Sequence, residues 1–272
     1  MTSITDRIER TYDGIPRAAG ARVEPVGPFE LFVQTVRGAS DYYARPRLGV
    51  SDVTTADVEA VRARQRELGI PEALEWVHDI TPMLLPAVRA TGTPVALAPL
   101  MVLNPDRLPD PASLTDAELC ILDPDSPDYS ALFEASAAVA ALGFGAMGTA
   151  VGAAGPAERD ASTTPVAEGR RQRAIEGHRS GRTVEAIART GNEGVIARGA
   201  YQGALGAAEV VGVATLPALR RRGLGGAVTA LVARYALDHG YDMVFLGAAD
   251  ETVARVYGRI GFERVGTACI AE

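Results

Sequence analysis

Apolar residues along this chain recur at two periods, one of about two residues and one of about three and a half, and the two alternate. From residue 117 onward the pattern predicts a short strand over Ala117–Asp123. A helix follows over Tyr129–Phe144, where Leu132, Phe133, Val139 and Leu142 fall at helical spacing, and a second helix covers Val166–Arg179. Three strands come next, Thr183–Arg189, Gly194–Tyr201 and Ala207–Leu216, with glycine-containing turns between them. The remainder reads as helix Gly223–His239, strand Asp242–Leu246, helix Glu251–Ile260 and strand Phe262–Ile270.

The first hundred residues repeat the back half of that order. Strands are expected at Arg22–Val26, Glu30–Thr35 and Asp41–Arg45, then helix Thr55–Leu68, strand Leu74–His78, helix Pro82–Arg89 and strand Val95–Leu103. The opening MTSITDRIER alternates charged with apolar residues and is assigned no element. Laying AVRATGTPVALAPL on VYGRIGFERVGTAC matches Gly92 to Gly261 and brings the following apolar strands into register. An internal duplication with one half truncated accounts for this, and so does the commonness of the β-α-β-α-β order. Between the two parts, LNPDRLPDPASLTD holds three prolines and three aspartates and breaks all periodicity. A boundary is expected there, giving domains 1–110 and 111–272.

Composition narrows the function class. With 272 residues, 47% apolar and 22% charged, the chain has the make-up of a soluble globular protein with one large or two ordinary cores. No basic stretch followed by an apolar run opens it, so no secretory signal is read and a cytoplasmic setting is expected. The weakly polar run Ser136–Gly155 is mostly Ala and Gly, too weak in transfer energy for a membrane span. Cys120 and Cys269 stand far apart, and His78, His178 and His239 lie in different elements with no second ligand at helical spacing, so no disulfide framework or metal site is expected. The net charge of -7 opposes general attraction to nucleic acid or anionic lipid. No lysine occurs, which removes Schiff-base and Walker-type chemistry.

The exception to the acidic balance is LPALRRRGLGGAVTALVARYALDHG, residues 216–240. A strand runs into Pro217, a basic turn, and a helix that begins near Gly223. Glycines 223, 225 and 226 leave backbone amides uncovered at a helix start, where first-turn N–H groups lack partners and the dipole is positive. A pyrophosphate would be met by several of those amides at once, and Arg220, Arg221 and Arg222 add positive charge. The same glycines also suit a helix packed close to a sheet, with the arginines solvated. The dinucleotide fingerprint does not match from Gly223, because Val228 stands at its third glycine. A literal match at Gly143, Gly145 and Gly148 follows a helix instead of a strand and is treated as coincidence.

Arg220-x-x-Gly223-x-Gly225 after a strand, with ADETVARVYGRIGFERVG downstream, closely resembles the GNAT acyltransferase superfamily. That family's second motif reads Asn-x-x-Ala-x-x-x-Tyr-x-x-x-Gly-Phe; here the positions are Asp250, Val253, Tyr257, Gly261 and Phe262. The spacing is kept while Asp replaces Asn and Val replaces Ala. The resemblance covers about Ala117 to the C-terminus. It implies an α/β (α+β) fold, a GNAT-type mixed twisted sheet flanked by helices, here preceded by a smaller truncated GNAT-like half.

The resemblance also implies roles. The strand before the loop splays from its neighbour, and backbone groups of Val213, Ala214 and Thr215 pair with a pantetheine arm, a ligand version of strand addition. Amides of Arg221, Arg222, Gly223, Leu224, Gly225 and Gly226 hold the pyrophosphate. Tyr257 matches the tyrosine that protonates the leaving thiolate; without the motif it reads as a core aromatic. Glu209 is the candidate base, against a structural carboxylate, because the alternative family position on the next strand is near Phe245. Asp250 would face the coenzyme, or would cap a helix. In the N-terminal half no such loop occurs, and Val88 stands where Tyr257 would.

The expected activity is transfer of an acetyl or short acyl group from acyl-coenzyme A to an amine by direct attack in a ternary complex, with acetyl-CoA as cosubstrate and no metal. The amine acceptor is left undefined, and a monomer or homodimer is expected. A non-catalytic module that senses acyl-coenzyme A would bind tightly without turnover. A nucleic-acid binder using Arg220–Arg222 would show steeply salt-dependent duplex binding, against which the acidic whole argues.

Overall fold

A computed structural model describes residues 3–36, 41–146 and 148–272 of the chain. In chain order its elements are α1 (Ile4–Ala18), β1 (Arg22–Val26), β2 (Phe29–Val33), β3 (Arg45–Pro46), α2 (Thr55–Leu68), β4 (Leu74–Val77), α3 (Leu84–Ala90) and β5 (Val95–Leu103). Then follow β6 (Glu118–Ile121), α4 (Tyr129–Gly145), α5 (Pro156–Ser162), α6 (Glu168–Arg179), β7 (Thr183–Thr190), β8 (Gly194–Ala204), β9 (Ala207–Thr215), α7 (Leu224–Asp238), β10 (Met243–Gly247), α8 (Glu251–Gly258) and β11 (Phe262–Ala271). The order β1-β2-β3-α2-β4-α3-β5 recurs as β7-β8-β9-α7-β10-α8-β11. By contacts the chain divides into two units. One is Met1–Met101 with Gly247–Asp250 and Arg264–Glu272; the other is Val102–Leu246 with Glu251–Glu263.

The first unit has an antiparallel sheet, β1-β2-β3, and strands in the order β4-β11-β5. The chain's last strand thus lies between two strands far from it in sequence, paired antiparallel to β4 with Cys269 opposite Trp76. Both residues are fully buried among Phe29, Leu31, Val58, Leu84 and Val88, so Trp76 is packing, as expected. Burial pushes the Cys269 thiol up to about 12, which makes it an apolar filler and not a nucleophile.

Two expectations for this unit fail. Residues 41–43 join no strand, and β3 is only Arg45–Pro46. The N-terminus is a fifteen-residue helix, α1. The Ser3 hydroxyl oxygen accepts from the Asp6 amide while the Asp6 carboxylate accepts from the Ser3 amide, and Ile8, Tyr12 and Ile15 bury one face. Inside the unit, Arg45 pairs with Glu75 and lies over the Tyr12 ring, 4.2 Å from its centroid.

In the second unit the strands run β10-β9-β8-β7-β6, with β9 parallel to β10 and the other neighbours antiparallel. This mixed sheet flanked by helices matches the expected fold class. Adjacent residues of β8 show the two faces: a methyl at Gly199 would meet Val228 of α7, while the Arg198 side chain joins Glu185 of β7, which Ser136 of α4 also contacts. Because successive side chains alternate across a strand, α7 and α4 lie on opposite faces. Beyond expectation, Pro156–Ser162 forms α5, with Pro156 in its first turn and Glu158 accepting from the Gly155 amide at 2.7 Å. Its Arg159 is buried and donates to the carbonyls of Glu193 and Val195.

Candidate functional site

The site is built where β9 ends and α7 begins. Pairing of β9 with β10 covers only Ala207, Ala208 and Glu209, opposite Met243, Val244 and Phe245. Beyond Glu209, β9 continues to Thr215 while held on its other side by β8 as far as Thr215 opposite Ala197. One edge of β9 is thereby left out of the β10 ladder from Val210 onward. An irregularity sits in the same stretch: the β8–β9 register shifts between Arg198 and Ala200, and Gly212 has φ +63. This is a β-bulge, an extra residue that increases local twist and re-aims the strand. The periodicity alone predicts one strand over Ala207–Leu216, and the glycine in mid-strand is the local signal of the bulge.

After Thr215 the chain makes one short turn, Pro217–Leu219, and enters the basic loop. Arg221 has φ +70, a left-handed conformation that a residue with a side chain adopts at a cost of about 1–3 kcal/mol and that clusters at functional sites. Gly223 is the N-terminal flank of α7, also left-handed at φ +76, with no side-chain cap. Any side chain there would place its first carbon 2.1 Å from the Leu114 carbonyl oxygen. Among the described residues, no protein acceptor meets the amides of Arg221 to Gly226. The first helical turn, with its positive dipole end, is open for an anion.

The arginines divide. Arg220 turns its guanidinium to the carbonyls of Ala150, Gly143 and Ala146 at 3.1, 2.8 and 2.6 Å, closing the end of α4. Its charge is therefore taken up by backbone acceptors, which leaves the exposed Arg221 and Arg222 as the loop's remaining cations. Arg222 is exposed, 3.9 Å from Glu193. Gly143, seen in the sequence as part of a coincidental glycine pattern, serves packing: a methyl there would stand 2.9 Å from the Ala214 Cβ. The turn after α8 reaches the same helix start, since a methyl at Gly226 would lie 3.7 Å from Ile260 Cγ2. The two quoted motifs are thus neighbours in space.

Tyr257 is the last aromatic of α8, buried beside Phe262 with ring centroids 6.0 Å apart. Burial pushes its phenol up to about 12. It stays protonated at neutral pH and keeps its capacity to donate. Glu209 is buried at the last paired position before β9 leaves β10, and accepts from Gln202 Nε2 at 2.8 Å. Val213 and Thr215 are part-buried and Ala214 is buried. Asp250 immediately precedes α8. A methyl at Gly225 would stand 3.8 Å from both Val213 and Thr215, so the helix start faces the end of β9. No helix among the described residues is long and apolar enough to cross a membrane.

Residues 194–270 match the model of the family described as FR47-like protein. No curated protein matches the chain by sequence. Among solved structures, the chain is similar to a GCN5-related N-acetyltransferase from Kribbella flavida, at 22% identity and TM-score 0.69, over 100% of this chain and 96% of that one. A putative acetyltransferase of the GNAT family from Novosphingobium aromaticivorans is similar at 18% identity and TM-score 0.52, covering 94% and 91%. A tandem GNAT protein from the clavulanic acid biosynthesis pathway is similar at 16% identity and TM-score 0.52, covering 89% and 77%.

Proposed function

Since the chain has the fold of the GCN5-related N-acetyltransferases, we propose that it is an acyl-coenzyme A-dependent N-acyltransferase that passes an acetyl or short acyl group directly to an amine. The observation that carries this reading is the run of unengaged amides from Arg221 to Gly226 beside the part of β9 left unpaired by β10. A pyrophosphate fits that run, because Gly223 admits no side chain and Arg221 and Arg222 supply cations at its rim. The pantetheine arm would lie along Val213, Ala214 and Thr215, adding a strand-like partner to β9. Held so, the thioester meets the amine without the entropy of a free encounter, a gain of roughly 7–11 kcal/mol in favourable cases.

Attack requires an uncharged amine and a proton for the departing thiolate. Glu209 is the group we assign to take the amine proton, directly or through water. Tyr257 gives its phenolic proton to the sulfur. A phenol raised to about 12 remains a donor across the neutral range, so its ionisation sets no alkaline limit near pH 8 to 9.

Melting the protein with coenzyme A and with acetyl-coenzyme A tests binding. Ligand at about 100 times its dissociation constant is expected to stabilise by roughly 2.7 kcal/mol. No shift with either would remove the reading. Free thiol release with acetyl-coenzyme A and a panel of amines tests turnover. Tyr257→Phe and Glu209→Gln should each lower the rate by about a hundredfold or more while leaving coenzyme A binding intact.

A further inference from the structure

The face of the second unit's sheet that meets α4 carries a buried polar network that the transfer chemistry does not use. Arg198 of β8 and Glu185 of β7 form a bidentate pair, Nη2 to Oε2 at 2.6 Å and Nε to Oε1 at 3.3 Å. Their side chains are 13% and 15% exposed. Ser136, fully buried on α4, donates its hydroxyl to the same carboxylate. The remaining nitrogen, Arg198 Nη1, donates to the Gly212 carbonyl at 3.2 Å. That carbonyl belongs to the bulge of β9. A side chain at position 212 would strike the same Nη1 at 2.6 Å, so the guanidinium occupies the space above the extra residue.

A nearly buried ion pair is a weak source of stability, since apolar residues of similar volume often do as well, and its better-attested use is to specify one arrangement. The arrangement at stake is register. A bulge that slips by one residue turns every later side chain to the opposite face and moves every later N–H and C=O. Val213, Ala214 and Thr215 are the residues that follow Gly212.

We propose that Arg198 is a positioning residue: with Glu185 and Ser136 it fixes the bulge at Gly212 and so sets the direction of the β9 edge that takes the pantetheine arm. The proposal rests on the acyl-coenzyme A-dependent transfer proposed above. Arg198 touches neither thioester nor phosphate in it. Its effect is confined to the arm, while the amide cradle at α7 is built separately by Gly223 and its neighbours.

Two ligands separate those parts: coenzyme A, and its nucleotide half, which keeps the pyrophosphate and lacks pantetheine. Arg198→Met alone would strand a buried carboxylate, so the pair is removed together as R198M/E185L; Gly212→Ala disturbs the same point from the backbone side. In calorimetric titrations both variants are expected to lose coenzyme A affinity by about tenfold and to keep the nucleotide half within about twofold. Wild-type affinity for coenzyme A in both variants, or equal loss of both ligands, would overturn the proposal. Should R198M/E185L not fold by circular dichroism, Gly212→Ala decides by the same split. A wild-type protein that binds neither ligand overturns the proposed acyl-coenzyme A-dependent transfer itself, which is distinguishable from either result.

Discussion

Helices α2 and α7 occupy the same place in two copies of one element order, yet their N-termini are finished in opposite ways. At α2, Thr54 Oγ1 accepts from the Asp57 amide at 3.2 Å and the Asp57 carboxylate accepts from the Thr54 amide at 2.9 Å. Donation of the Thr54 hydroxyl to the Asp57 carboxylate at 2.6 Å, and after it that of the Thr54 amide, holds the Asp57 carboxyl below the usual range. At α7, Gly223 is left-handed, carries no cap, and the amides after it meet no protein acceptor among the described residues. One terminus is closed by its own side chains and the other carries no side-chain cap. A capping box costs nothing in function where nothing binds; an anion site requires its omission.

That contrast can be broken at several points, the most damaging first. Gly223→Val forces a β-branched residue into a left-handed position and against the Leu114 carbonyl. It should cost about 3 kcal/mol or more and abolish stabilisation by coenzyme A, read by melting with and without ligand. Unchanged melting would mean that the α7 entrance is not held as described.

The first unit should show its closed character in its pH response. Burial raises the Glu9 carboxyl to about 7, opposed by Arg45 and by the hydrogen bond from the Val77 amide. Because the folded value lies above the unfolded one, this contribution is fully present below about pH 4.5 and is lost as pH rises through 7. A rise from 4.5 to about 7, at 1.36 kcal/mol per pH unit, sets a ceiling of roughly 3 kcal/mol. Urea unfolding between pH 5 and pH 8 should reveal the decline, and Glu9→Gln should flatten it. A wild-type profile as flat as the variant's would contradict the assignment.

Thr54→Ala removes the cap of α2 and should cost about 1 kcal/mol while leaving the coenzyme A response untouched. A reduced response would tie the first unit to binding. Smallest is Arg222→Ala, which removes one exposed cation from the rim of the cradle. Coenzyme A affinity should fall by about threefold in low salt and hardly at all in high salt, because solvent-exposed charges are screened. A salt-independent loss would argue for a closer, shielded contact.

How much of this was legible depended on how local each feature is. The repeat of β-β-β-α-β-α-β and the α7 entrance both follow from short-range pattern. Helix α1 was legible too, in Ser3, Asp6 and the spacing of Ile8, Tyr12 and Ile15, but alternating charges obscured it. Helix α5 likewise announced itself through Pro156 and Glu158. The bulge at Gly212 left only a glycine in mid-strand. The direction of Arg220 left nothing, since its three acceptors lie some seventy residues earlier.

By itself the sequence determined the order of most elements and the glycine and arginine residues that stand at the entrance to α7, because periodicity, capping and turn chemistry act within a few residues. Only the tertiary structure decided that β11 lies between β4 and β5, that β9 leaves β10 after Glu209, that Arg198 reaches the Gly212 carbonyl, and that Arg220 serves α4 and not the open amides. Those outcomes depend on strand pairing and side-chain reach between residues distant along the chain, where the competing arrangements share the same local preferences and differ only in which polar groups find partners.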